Sequence, residues 1–380
     1  VEDSNPIQNL KEKESVTYGG EGGRSKRSMV KRTRVYHPND MGVISEATVD
    51  SGDVGINTSL TANPKFTNLR GMTSRYESED DGPTRLLSTS ALLSPGADAD
   101  DPKRVNFISI QHGSGISAKG YRPTPLRTGY ERVIAHRTDD LFAYTAKGKG
   151  KVTKVSKEAI TVEYEDGSTR HIELGRRFGS AAGTIFPHEV TTDFKVGDTF
   201  AEGDAIAYNA NFFTPDPLNP KEVLWKAGVM CKTAIAESSD TFEDSSVISE
   251  KIAKDMATGI TKVRNLVFDF DQTVRSLVDI GTTVDPESIL CTIEDSVTAD
   301  NDLFNEDTLD TLRLLSSNTP RAKYGGVVEK IEVFYHGDKE DMSPTVRQIA
   351  DKADRDLAKR SRALGKNVVT GSVDDSMRVD

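Results

Sequence analysis

Glycine–aspartate pairs cut residues 131–235 into short β-forming pieces. Ile160, Val162 and Tyr164 recur with period two, after Val152 and Val155, so Lys151–Tyr164 is expected to be extended. Asp166-Gly167 is a hairpin signal, and His171-Ile172-Glu173-Leu174 resumes the strand. Further on, Gly197-Asp198 and Gly203-Asp204 bracket a short strand, and Ala205-Ile206-Ala207 begins another. A looser echo occurs at Ile280–Cys291. A segment so punctuated favours small antiparallel sheets over helices.

Elsewhere the pattern changes. Val105–Ile110 alternates and contains β-formers, so it is expected to be a strand, followed by the glycine-broken stretch Gly113–Gly120. Helices are expected over 244–257, where Asp244, Ser245 and Ser246 are possible caps, over 302–316, and over 344–364. The last is highly charged with a thin apolar stripe of Val346, Ile349, Ala353, Leu357 and Ala363. The fold class expected is therefore mainly β with α (α+β) and multidomain. Its regions are 1–73, 74–130, 131–260, 261–342 and 343–380.

Composition narrows the function classes. No apolar run approaches the roughly 20 residues that span a bilayer, so no membrane partner is expected. The two cysteines, Cys231 and Cys291, are too few for a disulfide framework or a structural zinc site, which points to a reducing cytoplasm. A net charge of −11 argues against a surface that coats DNA indiscriminately. A local basic segment exists nonetheless. Between Gly22 and His37 the ionisable residues are Arg24, Lys26, Arg27, Lys31, Arg32, Arg34 and His37, with no acid among them. It reads either as a solvated loop or as a phosphate-contacting one. The six histidines lack metal-ligand spacing. The run Lys147-Gly148-Lys149-Gly150-Lys151 lacks phosphate-loop spacing and reads as a solvated hairpin.

Four blocks, in order, carry a resemblance. Asn5-Pro6 … Gly20-Glu21-Gly22-Gly23 … Val35-Tyr36-His37-Pro38 … Gly42 resembles the rifamycin-pocket and fork-loop segment of the β (second-largest) subunit of multisubunit DNA-directed RNA polymerases. That family reads there Asn-Pro, Gly-Pro-Gly-Gly, Val-His-Pro and Gly. Leu126-Arg127-Thr128-Gly129-Tyr130-Glu131 through Ala135 resembles its Leu-x-Gly-Thr-Gly-x-Glu-x-x-x-Ala. Thr241-Phe242-Glu243-Asp244-Ser245-Ser246-Val247-Ile248-Ser249-Glu250 resembles its Asn-Phe-Glu-Asp-Ser/Ala, two apolar residues and Ser-Glu. Gly325-Gly326-Val327-Val328-Glu329-Lys330-Ile331 resembles the strand returning from the flap. The Gly-Asp spacing near 197–207 is similar to barrel-sandwich hybrid folds, implying a hybrid-binding β domain over 131–260.

The resemblance implies nucleotidyl transfer carried out with a larger partner. It implies that the largest (β′-type) subunit holds the catalytic Mg²⁺ through an Asp triplet, a motif missing here, while this chain forms the opposite wall. Glu243 and Asp244 would face the metal and triphosphate region, or alternatively cap the helix that follows. Arg104, with Lys103 beside it, would grip the incoming triphosphate, although pairing of Arg104 with Asp101 is the plainer reading. Arg24, Lys26, Arg27 and Arg34 would contact phosphates of template DNA and of the RNA–DNA hybrid. Glu2, Asn5 and Glu12 fall in the rifamycin-pocket segment and depart from drug-sensitive patterns, which implies resistance.

Other departures are visible. The family's Glu-Thr-Pro-Glu-Gly is replaced near Thr48-Val49-Asp50-Ser51-Gly52, and the flap over about 259–330 is short. The family's lysine block is not found, since Gly337-Asp338-Lys339 sits in another context. With Val1 opening the chain in a polar stretch, the expectation is an internal piece or a split-gene product, inactive alone and completed by other β-type parts. The drift points to a viral, large-bacteriophage-like origin, with the host cytoplasm or the virion as location. Two other readings stay open: a non-catalytic barrel-sandwich binding module, and a structural viral protein with a polymerase-like remnant.

Overall fold

Asn5 starts the first helix by accepting the Gln8 N–H at 2.8 Å on its side-chain oxygen, with Pro6 in the first turn, where a missing N–H costs nothing. The computed structural model describes residues 2–296, 307–308, 311–312, 315, 317–368 and 376–379. The chain forms two units, Val1–Thr261 and Lys262–Asp380, and both mix helices with small antiparallel sheets. The class is α+β, as the sequence led us to expect.

In the first unit, α1 (Pro6–Glu14) leads into β1 (Ser15–Thr17), which pairs with β3 (Asn57–Leu60), itself paired with β2 (Ile44–Thr48). Next come α2 (Thr89–Leu92), α3 (Pro102–Gly113), β4 (Tyr121–Arg122) and α4 (Ile134–Arg137). The β-rich part then runs through β5 (Ala143–Thr145), β6 (Gly150–Val155), β7 (Ala159–Tyr164), β8 (Thr169–Glu173), β9 (Gly175–Ala181), β10 (Thr184–Thr191), β11 (Thr199–Phe200) and β12 (Ala205–Asn209). Beyond them β13 (Phe213–Pro215) pairs with β14 (Val223–Trp225), and β15 (Gly228–Val229) pairs with β4. Strands β5 to β12 make two four-stranded sheets, ordered β5-β12-β10-β9 and β11-β6-β7-β8.

One apolar core lies between them, built from Val152, Ile160, Val162 and Ile172 of one sheet and Tyr144, Val190, Ile206 and Ala207 of the other. A second core gathers Phe142, Ala205 and Tyr208 with Ile7, Leu10, Ile134, Phe212, Phe213 and Trp225. Strand β12 therefore contributes to both, which explains why all five of its residues are buried and why Ala205–Tyr208 reads as an apolar run rather than an alternation. The turn signals hold: Gly167, Gly197 and Gly203 take positive φ of 81°, 91° and 87°, as glycine permits. The run Lys147–Lys151 is the link from β5 into β6.

Two expectations fail. Val105–Ile110 is helix, not strand. Asp101 accepts the Lys103 N–H at 3.0 Å and Pro102 opens the first turn. The buried positions Val105, Asn106, Ser109 and Gly113 follow helical spacing. The apparent alternation arose because this buried face carries polar residues; Asn106 accepts the Thr48 N–H at 2.9 Å. The helix expected over 244–257 shrinks to α5 (Glu250–Asp255), capped by Ser249. Glu243 and Asp244 thus lie well before its first turn and do not cap it.

The second unit comprises β16 (Leu266–Asp269), β17 (Thr273–Arg275), β18 (Thr283–Val284), β19 (Thr292–Glu294), β20 (Gly326–Val327), β21 (Val333–Tyr335), α6 (Pro344–Leu364) and β22 (Ser376–Val379). Its sheets are β16-β22-β21, β17-β19 and β18-β20, around Phe268, Val274, Cys291, Ile293, Val346 and Ala350. The helix read over 344–364 is present, capped by Ser343 and ended by Gly365 at φ 63°. The helix expected over 302–316 lies largely outside the described residues, of which 307–308, 311–312 and 315 are helical.

Candidate nucleic-acid and substrate interface

Helix α3 presents Lys103 and Arg104 in its first turn, both exposed. Lys103 Nζ lies 5.6 Å from the Phe107 ring centroid. The Asp101 carboxylate is engaged by the Lys103 N–H, and among the described residues Arg104 makes no ion pair with it or with another acid. The guanidinium of Arg104 therefore keeps its planar fork of donors for an outside acceptor.

Side chains from distant segments fix the far end of α3. Asn5 Nδ2 donates to Gly113 O at 3.0 Å and Gly115 O at 2.6 Å, and Lys11 Nζ donates to Ser109 O at 3.0 Å. Burial holds the Lys11 ammonium below its usual pKa. Helix α1 is thus tied to the carbonyl end of α3, where positive charge suits the helix dipole.

The block at 126–137 is locked from beneath. Glu131, 2% exposed, accepts N–H bonds from Thr128 at 3.1 Å and Gly129 at 2.9 Å. Gly129, at φ 93°, makes that reversal possible. Arg137 reaches Glu14 Oε1 at 2.6 Å, Thr89 Oγ1 at 3.1 Å and the Tyr130 hydroxyl at 3.0 Å. Burial pushes the Glu14 pKa up, and the Arg137 guanidinium opposes that shift. Asn9 and Lys13 both bind Asp139. Three sequence-distant stretches, 5–17, 88–93 and 126–139, meet through this one polar network.

The basic segment is folded rather than a featureless coil. Lys26 and Arg27 sit in a single 3₁₀ turn. Lys26 pairs with Asp53 at 2.8 Å. Arg34 donates to Met29 O at 3.1 Å and Gly52 O at 2.7 Å, so it braces the loop rather than standing free. Arg24 and Arg27 are exposed and make no ion pair among the described residues.

Glu243 and Asp244 lie in a stretch, 230–249, that has no buried residue. Its apolar side chains stand in solvent, Ile235 at 103%, Phe242 at 92% and Val247 at 85% exposure. Asp244 takes φ 61°, a left-handed conformation that a non-glycine residue adopts at a cost of about 1 kcal/mol or more. The stretch is anchored at both ends. Gly228 and Val229 pair with β4, and Gly120 N–H donates to Asp255 O at 2.7 Å. A Cβ at Gly120 would fall 2.5 Å from the Asp255 Cβ, so only glycine admits this contact. Among the described residues, no hydrogen bond or ion pair joins Glu243 or Asp244 to Arg104. Nor does any group of three or more His, Cys, Asp or Glu side chains there have metal-holding geometry. The carboxylate pair can offer oxygen ligands to a cation whose remaining ligands come from elsewhere.

Sequence reasoning did not find the Glu14–Arg137 pair, whose members are 123 residues apart. His188, read from the sequence as structural or exposed, is buried between Asp3 O at 2.7 Å and Asn209 Nδ2 at 3.0 Å. No helix among the described residues is long and apolar enough to cross a membrane.

No family model matches the chain. Relatives do. The DNA-directed RNA polymerase subunit beta of Leifsonia xyli subsp. xyli is 25% identical over 230 residues, covering 56% of this chain and 19% of the relative. The subunit of the same name from Thermus aquaticus is 28% identical over 175 residues, 46% of this chain and 15% of that one. The one from Streptococcus gordonii is 28% identical over 178 residues, 46% and 14%. The chain thus matches less than a fifth of the length of these relatives. About half of it is a region similar in sequence to bacterial RNA polymerase β subunits.

Proposed function

We propose that the chain is part of the β-type subunit of a DNA-directed RNA polymerase and forms one wall of the active site and RNA–DNA hybrid channel. The observation that carries this is that α1, which opens the first resembling block, is tied to α3 through Asn5 and Lys11 and to Arg137, just beyond the block 126–135, through Glu14, in a chain whose similarity is to β subunits. Arg104 then stands on a helix fixed by the first block, with its donors unspent, as a triphosphate-binding residue with Lys103 beside it. Arg24 and Arg27, with Lys26 behind them and Arg34 as brace, contact backbone phosphates without reading sequence.

Glu243 and Asp244 face Mg²⁺ that is held mainly by the largest subunit. That ion would supply charge neutralisation of the triphosphate, and the pair would add ligands directly or through water. The exposed Ile235, Phe242 and Val247 are, in this reading, covered by that partner. The two sheets sharing one core over 143–209 support a barrel-sandwich-like hybrid-binding domain. The remaining parts of the β-type subunit, template DNA, the hybrid and NTPs complete the assembly.

The test is reconstitution with a partner carrying the Asp-triplet motif. Template-dependent RNA synthesis is expected, and Arg104→Ala should raise the KM for NTP while Asp244→Ala lowers kcat, each by about tenfold or more. An active assembly indifferent to both changes overturns the site assignment. Absence of any templated synthesis overturns the function.

A further inference from the structure

The lysine run at 147–151 contributes Lys147 to a cleft of about 180 Å³ beside α4. The cleft is also lined by His136, Thr138, Asp140, Thr145 and, from β8, Arg170. The hydroxyl of Thr138 is buried and has no hydrogen-bond partner among the described residues. Thr145 is 4% exposed.

Charge decides which kind of occupant the cleft suits. Asp140 is the one acid in the lining, and Arg170 NH2 already engages it at 2.7 Å. The same guanidinium, on a half-exposed side chain, lies 5.4 Å from the Tyr144 ring centroid and, with one N–H on Asp140, has four of its five N–H donors left. Lys147 makes no ion pair among the described residues. The lining therefore carries one surplus positive charge, a guanidinium with spare donors and a rotatable ammonium. The volume is several times the roughly 30 Å³ share of one water, enough for a tetrahedral oxyanion with part of its hydration.

We infer that this cleft binds a phosphoryl group, with Lys147 and Arg170 donating to its oxygens. The group is either inorganic phosphate or a backbone phosphate of a polynucleotide. The inference is independent of the polymerase reading, since it uses none of Arg104, Glu243, Asp244 or the basic segment.

Imidazole signals test it directly, because the chain has six histidines and His136 lines the cleft. In the full chain labelled at histidine, with His136 assigned by its loss in His136→Gln, inorganic phosphate is titrated against sodium chloride of equal ionic strength. A saturable shift of His136 at millimolar phosphate, not reproduced by chloride, is expected. Lys147→Ala and Arg170→Gln should each weaken it by about tenfold, with Trp225 fluorescence reporting an intact core. A short DNA duplex in place of phosphate separates the sources. Saturation at lower concentration than phosphate identifies a polynucleotide contact, whereas a shift with phosphate alone identifies a free-anion site. No saturable shift with either probe, an equal shift with chloride, or unchanged affinity in Lys147→Ala overturns the inference.

Discussion

Replacing Arg137 by methionine should unfold the first unit's core more easily by about 3 kcal/mol, the low end of the cost expected when one member of a largely buried ion pair is removed. The structure sets the size. Glu14 is 7% exposed, and its carboxylate keeps only the Thr89 hydroxyl, at 3.1 Å, once Arg137 is gone. The Tyr130 hydroxyl loses its partner as well. Trp225 is the sole tryptophan and lies in the same apolar core as Ile134 and Ala135, so its fluorescence reports this core directly. With an m-value of about 2 kcal/mol/M, the urea midpoint should fall by roughly 1.5 M. Adding Glu14→Gln should restore most of the loss, because the buried charge disappears with its partner. The deficit should also depend on pH. Burial raises the Glu14 pKa above its unfolded value, and loss of Arg137 raises it further. The protonated acid is then favoured in the folded state, so the deficit shrinks below the unfolded pKa and grows as pH rises through the folded one. A single Arg137→Met effect within about 0.5 kcal/mol of zero, or single effects that simply add in the double variant, would refute the reasoning.

Other outcomes follow from the same geometry. Burial pushes the His188 pKa down to about 4, so its imidazole signal should stay flat from pH 8 to pH 5; a midpoint near its ordinary value of 6.5 would contradict the structure. Because the unfolded chain takes up that proton first, His188 removes up to roughly 3 kcal/mol of stability as pH falls from about 6.5 towards 4, and none above that window. Gly120→Val should detach α5 and speed proteolysis within 230–257 while leaving the Trp225 core folded; unchanged cleavage would contradict the anchor. Rifamycin at low micromolar concentration should leave the reconstituted enzyme active, given Glu2 N–H bound to Glu12 Oε2 at 2.7 Å and Asn5 engaged with Gly113. Inhibition there would contradict it.

Local signals carried the β-rich region. Asp166-Gly167, Gly197-Asp198 and Gly203-Asp204 mark turns through glycine's freedom at positive φ, a property independent of tertiary context. The charged helix at 344–364 was equally legible, with Ser343 and Gly365 at its ends. Val105–Ile110 misled because tertiary contacts set its periodicity: its buried face carries Asn106 and Ser109, whose polarity mimics strand alternation. Asp244–Ser246 misled differently, since acidic and hydroxyl residues favour caps and loops alike, and the cap belongs to Ser249. The polar network at Glu14, Thr89, Tyr130 and Arg137 leaves no local trace, because its members are joined only by folding. Arg104 became a candidate through the family resemblance, whereas its unspent donors could be read only from the structure.

Capture of this chain from its native source, followed by labelled-NTP incorporation on a defined DNA template, tests the central claim most directly. The account predicts a co-purifying chain with the Asp-triplet motif and RNA made only when template is present. A capture that holds no such chain and makes no templated RNA would contradict it.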